Sequence, residues 1–538
     1  MAAYFIGIDV GTGSARAGVF DAAGRMVASA KADIRLWREA GDIAEQSSED
    51  IWRAVCSSVR SAVSTAGVAP GSVAGIGFDA TCSLVVLGDG GQPVTVNASG
   101  SPERNIIVWM DHRAIDQARR INASSQPVLR YVGGTISPEM ETPKLLWLAE
   151  NIPSTFASAW QFFDLTDFLT WRCTGSLARS ACTVTCKWTY LAHERRWDES
   201  YFRSVGLGAL ADEHFARIGI DIVPGGTPLG HGLTVEAATE LGLEAGTPVA
   251  AGLIDAHAGG IGTVGARGGP GDILTRMAYV FGTSACSMTT TREPAFVQGV
   301  WGPYYSAMVP GLWLNEGGQS AAGAAIDHLV RMHPAAAEAE RHAGELGVSL
   351  GAWLAEKAAE GGGAAAIERL VGALQVVPEF LGNRAPFADP HAKALVAGIG
   401  MDTGIDSLVG LYLAGLCGLG YGARQIIDAQ RAEGITTDTI VISGGAGQSP
   451  LVREILADAT GLAVAASSSP EPVLLGSAIL AAVAARRHAD VGTAMSAMSE
   501  LGDVRQPNPA VAKWHAKRFV AFQKLQALGR EVGNIAND

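Results

Sequence analysis

This 538-residue chain lacks a cysteine framework. Its seven cysteines (Cys56, Cys82, Cys173, Cys182, Cys186, Cys286 and Cys417) are odd in number and scattered, with no C-x-x-C pair. Cys182 and Cys186 stand four apart, but no second Cys/His pair nearby completes the four-ligand set of a structural zinc. Small buried thiols in a reducing compartment are expected, which points to the cytoplasm. Positive charge is short too. Forty Lys plus Arg face 53 Asp plus Glu, a formal net charge of −13. Nucleic acid and anionic membrane both reward clustered cations, so neither is an expected partner. Charged residues make up only 17% of the chain, against 48% hydrophobic residues. Disordered chains show the opposite balance. No uninterrupted apolar run approaches the roughly 20 residues of a spanning helix. Leu408–Tyr421 is apolar but broken by glycines, and reads as a buried helix. The opening MAAYFIGIDVG has no basic segment, and Asp9 interrupts its apolar run, so no export leader is expected. G-x-x-x-x-G-K-[ST] is absent. The stretch from Gly11 carries Arg16 at the sixth position of G-x-G-x-x-G and lies in a hairpin context, which argues against a dinucleotide site.

What is present is a repeated α/β pattern. Tyr4–Asp9, the turn Gly11-Thr12-Gly13-Ser14 and Ala15–Phe20 predict a β-hairpin. Ser47 and Asp50 have capping-box-like spacing, and Ile51, Val55, Val59 and Val63 recur every four residues behind them. An amphipathic helix is predicted there. Val73–Phe78 and Leu84–Leu87 read as buried strands. The logic restarts with Tyr279–Phe281, Gly282-Thr283-Ser284 and Ala285–Met288. Thr439–Ser443 then enters Gly444-Gly445-Ala446-Gly447. A helix follows with Ser449 as N-cap, Pro450 at its first position and Gly461 as its stop. Two α/β halves are expected, 1–262 and 272–487, with the boundary in the glycine-rich stretch 259–271 and a helical tail over 488–538. The tail places Val511, Trp514, Phe519, Phe522 and Leu525 at roughly helical spacing. The 333–368 region, with Gly361-Gly362-Gly363, reads as surface helices with a loose connection.

The three small-residue turns share a physical logic. Gly11 and Gly13 let backbone amides converge on an anion, and Thr12 and Ser14 add hydroxyl donors. Gly282, Thr283 and Ser284 offer a second such turn. Gly444, Gly445 and Gly447, with Gln448, lead into a helix N-terminus and offer a third. Asp9 at a strand end suits a Mg²⁺ held through water. Each turn alone has a structural explanation as a tight hairpin or helix start.

Together, and in this order, the turns resemble the phosphate-1, phosphate-2 and adenosine segments of the sugar kinase/actin/heat-shock ATPase superfamily. Within it the chain looks like an FGGY carbohydrate kinase, over nearly everything from Tyr4 to about Ala485. Further matches are Trp109-Met110-Asp111-His112-Arg113, Asp167–Trp171 with Thr174-Gly175, Gly252–His257, and Pro378–Pro386 followed by Asp389-Pro390. Phe78–Val85, Cys186-Lys187-Trp188 and Asn315-Glu316-Gly317-Gly318-Gln319 resemble segments of the ribulokinase branch, especially its D-ribulokinase-like members. Gly317 stands where alanine is usual.

The resemblance implies two duplicated actin/hexokinase-like (ribonuclease H-like) α/β domains around a cleft. It implies ATP with Mg²⁺, a small sugar as substrate, and phosphorylation of the terminal hydroxyl of a ketopentose, with D-ribulose favoured. Asp255 becomes the expected general base and, with Asp9, a metal ligand. Thr81, Trp109, Asp111, Arg113, Lys187, Asp255 and Glu316 become the expected sugar contacts. For Arg113 and Lys187 alone the bland reading is a surface salt bridge, for Trp109 core packing, and for Asp255 an N-cap. Xylulose, a pentitol or glycerol remain alternative substrates. A nucleotide-switched regulator or actin-like assembly protein is the alternative from another class. A homodimer is possible on the same resemblance.

Overall fold

Apolar runs that end in small-residue turns pair here as hairpins. The computed structural model describes residues 3–39, 42–360, 362 and 364–537. Strand β1 (Tyr4–Val10) runs antiparallel to β2 (Ser14–Asp21), from Tyr4 opposite Asp21 to Val10 opposite Ala15. Strand β3 (Met26–Asp33) extends β2. Helix α1 (Ser48–Ala66) starts where the sequence predicts: the Ser47 side chain accepts from the Asp50 amide at 3.3 Å. Its Ile51, Val55, Val59 and Val63 pack into the core against β2 and β3. Strand β4 (Val73–Ala80) lies parallel to β1. Further on come helix α2 (Ala181–Lys187), the short strand β5 (Leu253–Ile254) beside β4, and helix α3 (Asp255–Ile261). The sheet order is β5-β4-β1-β2-β3.

The second half repeats the plan. Strands β6 (Arg276–Phe281) and β7 (Ala285–Thr291) form a hairpin. Strand β8 (Trp301–Tyr305) pairs with β9 (Trp313–Gln319), which pairs with β7. Helix α4 (Ile405–Ala432) precedes β10 (Thr439–Ser443), which lies parallel to β6. Helix α5 (Pro450–Thr460) has Ser449 as N-cap, Pro450 first and Gly461 last, as the sequence indicates. Strand β11 (Ala463–Ser467) runs parallel to β10. Helix α6 (Pro472–Ala484), edge strand β12 (Leu501–Arg505) and helix α7 (Ala512–Asn537) complete the chain. The order is β8-β9-β7-β6-β10-β11-β12. Without the edge strands β8 and β12, both halves show three antiparallel strands followed by two parallel ones. The fold is the expected duplicated actin/hexokinase-like α/β architecture.

Three regions pack more tightly than the sequence suggests. Residues 488–538 are more than a helical tail, because β12 pairs antiparallel with β11 and extends the sheet. In α7, Phe519 and Phe522 are buried and their rings meet Tyr421 of α4. Helix α4 is long and apolar enough to cross a membrane by length and composition, but 78% of its most apolar window is buried inside the protein. Leu408–Tyr421 thus form a core helix. In the 333–368 region, Trp353 and Leu354 join the same core, while Gly361 and Gly363 lie outside the described residues.

Helix α6 belongs by sequence to the second half but lies on β1 and β4 of the first sheet. Two glycines make that approach possible. A Cβ on Gly7 would sit 1.9 Å from the Leu474 carbonyl oxygen, and one on Gly77 2.1 Å from that of Ser477. Helix α3 packs on α6 in turn, so the elements carrying Asp9, Asp79 and Asp255 share one support.

Candidate active site

The two hairpin turns face a common cleft of about 360 Å³. Gly11 and Thr12 come from the first turn, and Gly282, Thr283 and Ser284 from the second. Each turn is closed by the amide of its first glycine, Gly11 donating to the Ser14 carbonyl at 3.0 Å and Gly282, in a turn one residue tighter, to the Ser284 carbonyl at 2.9 Å. Gly13 and Ser14 belong to the first turn but do not line the cleft. Gly444, Gly445, Gly447 and Gln448 are also off its walls. They follow β10, whose Ser443 pairs with Val280 of β6, and so sit beside the second turn. Residues Gly445–Gln448 wind into a single 3-10 turn before α5.

Asp9 and Asp255 line the cleft, with Asp79 buried beside Asp9. Asp9, next to last in β1, lies beside Asp79 of β4. Arg16 pairs with Asp9 and reaches Glu471 at 2.8 Å. Asp79 is fully buried and accepts from Ser477 Oγ at 2.6 Å. Burial, then the Asp9 charge, raise the Asp79 carboxyl well above the ordinary range. Asp255 is the first residue of α3, half-buried, and accepts from the Ala256 amide at 2.7 Å. Burial, then Asp9, push its carboxyl up to about 7, against the opposing pull of the Ala256 amide, His257 and Lys187. A carboxylate in that range is poised to take a proton near neutrality.

Two further cations, Lys187 and Arg384, line the same cleft. Lys187 ends α2, is 7% exposed, and makes no ion pair among the described residues. Its ammonium lies 5.5 Å from the Trp301 ring, and the Arg384 guanidinium lies 5.4 Å from the same ring. Burial opposes the charge on Glu316, but His257, Lys187 and Arg384 outweigh it and bring the carboxyl down to about 2. Trp109 Nε1 donates to Thr12 Oγ1 at 3.0 Å, and Thr81 and Ser83 share a hydroxyl contact of 3.2 Å. Thr81, Trp109, Lys187, Asp255 and Glu316 thus converge on one cavity with Asp9.

Asp111 and Arg113 do not. Asp111 is fully buried, accepting from the Ala44 amide at 2.7 Å and from Arg113 at 2.7–2.9 Å. Arg113 also reaches Glu45 at 2.6 Å. Both are held by protein partners and do not line the cleft, unlike the other expected sugar contacts. The cleft instead includes Cys82, Glu139, Trp301 and Arg384. Arg384 stands in the Pro378–Pro386 segment, so its signal was legible. Glu139 and Trp301 carry no local pattern.

A fold of this plan around a cleft with a raised carboxylate fits a sugar kinase, and the comparisons show that class. The N-terminal domain of the "FGGY family of carbohydrate kinases" matches residues 4–262, and the C-terminal domain residues 277–485. The chain belongs to this family. A human "FGGY carbohydrate kinase domain-containing protein" is 44% identical, covering 99% of this chain and 98% of its own. A D-ribulokinase of Saccharomyces cerevisiae is 37% identical over 90% of this chain and 72% of its own. A ribulokinase of Shouchella clausii is 31% identical over 80% and 74%. These relatives place the chain in the ribulokinase-like branch. A solved xylulose kinase from Lactobacillus acidophilus shares the fold with a TM-score of 0.78 at 19% identity, covering 98% of each chain.

Proposed function

We propose that this kinase phosphorylates the terminal hydroxyl of a ketopentose, with D-ribulose as the favoured substrate and ATP as the donor. The observation that carries the reading is the convergence of Asp255, Lys187 and Glu316 between the two hairpin turns. The name of the yeast relative supports the sugar assignment. Asp255 accepts the proton of the attacking hydroxyl. Little proton abstraction is needed early in a loose phosphoryl-transfer transition state, so positioning and charge neutralisation dominate. The turn amides and the Thr12, Thr283 and Ser284 hydroxyls cradle phosphate oxygens, and the third turn beside them receives the adenosine. Glu316, held charged, accepts from sugar hydroxyls, while Lys187 donates to the ketose oxygen. Trp109 and Trp301 offer apolar faces to the C–H side of the sugar.

Asp9 and Asp255 suit Mg²⁺ chemically. They are hard oxygen donors, and burial together with the Asp9 charge raises Asp255. When bound, the ion neutralises the phosphate charge. The chain's own residues orient the hydroxyl and exclude water.

The deciding experiment is coupled ADP release across pentuloses, pentitols and glycerol. The reading requires D-ribulose to have the highest kcat/KM. Preference for xylulose, a pentitol or glycerol replaces the substrate, and sugar-independent ATP hydrolysis with polymer formation replaces the kinase reading.

A further inference from the structure

We propose that Cys182, Cys186 and His257 form a binding site for one thiophilic cation, zinc(II), behind the sugar side of the cleft. The inference does not depend on which sugar the kinase takes. Sequence spacing hides the site, because the histidine lies 75 residues from Cys182. Helix α2 presents both cysteines on one face, one turn apart, and α3 brings His257 against them.

The geometry meets the main requirements of such a site. Cys182 Sγ lies 3.0 Å from His257 Nδ1, and all three ligand atoms lie within 4.8 Å of one another. Tetrahedral zinc bonds of about 2.3 Å to sulfur and 2.0–2.1 Å to nitrogen place such atoms about 3.5–3.8 Å apart. Changes of about 0.5–1.3 Å in these separations therefore admit the cation. All three side chains are buried, His257 being only 1% exposed. The second ring nitrogen, Nε2, faces Glu316 Oε2 at 3.3 Å. A carboxylate on the far nitrogen of a ligating histidine fixes its tautomer and orientation. The Ile254 amide donates to Cys182 Sγ at 3.4 Å, as an outer partner to a bound thiolate.

The ligand chemistry selects the ion. Two sulfurs and an imidazole prefer zinc over the hard Mg²⁺, which suits Asp9 and Asp255 instead. Each thiol that ligates gives up its proton to solvent. Three protein donors are one fewer than the four of a closed structural site, and the cation would be held by these three buried side chains. The consequence is mechanical. Helix α2 ends in Lys187 and α3 begins with Asp255, so a cation between them fixes the two residues relative to each other.

The test uses the full-length, reduced protein. Zinc is added and dialysed, and bound metal is counted by mass spectrometry. Cobalt(II) serves as the optical probe. The proposal requires a single tightly held equivalent of zinc, with a thiolate-to-cobalt charge-transfer band and tetrahedral d–d absorption. Cys182→Ser and Cys186→Ser should abolish both signals, and Cys56→Ser and Cys417→Ser should keep them. Glu316→Gln should weaken binding about 10–100-fold. Wild-type protein that retains no stoichiometric metal overturns the proposal, and so does a cobalt spectrum without the thiolate band. Undiminished binding by a Cys182→Ser/Cys186→Ser variant with wild-type circular dichroism also overturns it.

Discussion

Lys187→Met separates recognition from stability. Methionine keeps most of the stem and removes the ammonium. Lys187 is 7% exposed and has no ion-pair partner among the described residues, so its donors are free for a sugar oxygen. A hydrogen bond from a charged donor is worth about 1.5–3 kcal/mol. At about 1.4 kcal/mol per decade, kcat/KM for D-ribulose should fall roughly 10–150-fold. Ribitol lacks the carbonyl and should lose far less. Stability should move the other way or stay constant. Breaking a buried ion pair strands a charge, but here Glu316 keeps His257 at 3.3 Å. The assay pairs coupled ADP release on both sugars with thermal melting. Equal losses on ketose and polyol would refute the carbonyl role. A clear drop in Tm would refute the claim that the ammonium serves the ligand rather than the fold.

Asp255→Asn should lower kcat about 10²–10⁴-fold with ATP affinity nearly unchanged, and wild-type turnover in the variant would exclude Asp255 as the base. Gly77→Ala should destabilise the fold by about 1–3 kcal/mol in urea melts, because its Cβ meets the Ser477 carbonyl oxygen at 2.1 Å; an unchanged midpoint would mean that α6 yields. Asp167 anchors the start of α2 by accepting from the Ser180 amide at 2.8 Å and from Thr183 Oγ1 at 2.7 Å. Burial raises its carboxyl to about 6 in the fold, above its ordinary 3.8. The folded state therefore holds this proton more tightly, and the contribution is fully present below the unfolded value and lost as pH rises through 6. Between pH 7 and pH 5 wild type should gain about 1 kcal/mol over Asp167→Asn, and parallel pH–stability curves would remove the claim.

Local chemistry made much of this molecule legible. The Gly11–Ser14 and Gly282–Ser284 turns, the Ser47 and Ser449 caps and the apolar face of α1 each depend on residues within a few positions. Such signals survive in sequence alone. Resemblance is what points to Asp255, Lys187 and Glu316, and the three line one cavity. A motif reports that polar residues matter without saying which way they point, and Asp111 and Arg113 lie off the cavity, bonded to each other and to Ala44 and Glu45. Glu139 and Trp301 were missed because only the tertiary path brings them to the wall. The Cys182–His257 contact was missed for the same reason. The strand in the tail is not legible in sequence, because β12 owes its place to the open edge of β11 and its own residues carry little strand pattern.

The crossing of helix α6 onto the opposite sheet makes the halves mutually dependent. A fragment ending near residue 262 loses the lid over β1 and β4 and exposes a greasy, glycine-grooved plate. Such a piece should aggregate unless a peptide spanning 472–484 is supplied in trans. Any engineered exchange of halves between sibling enzymes must therefore carry this segment with the sheet it covers, at a seam that straight linear cutting does not respect.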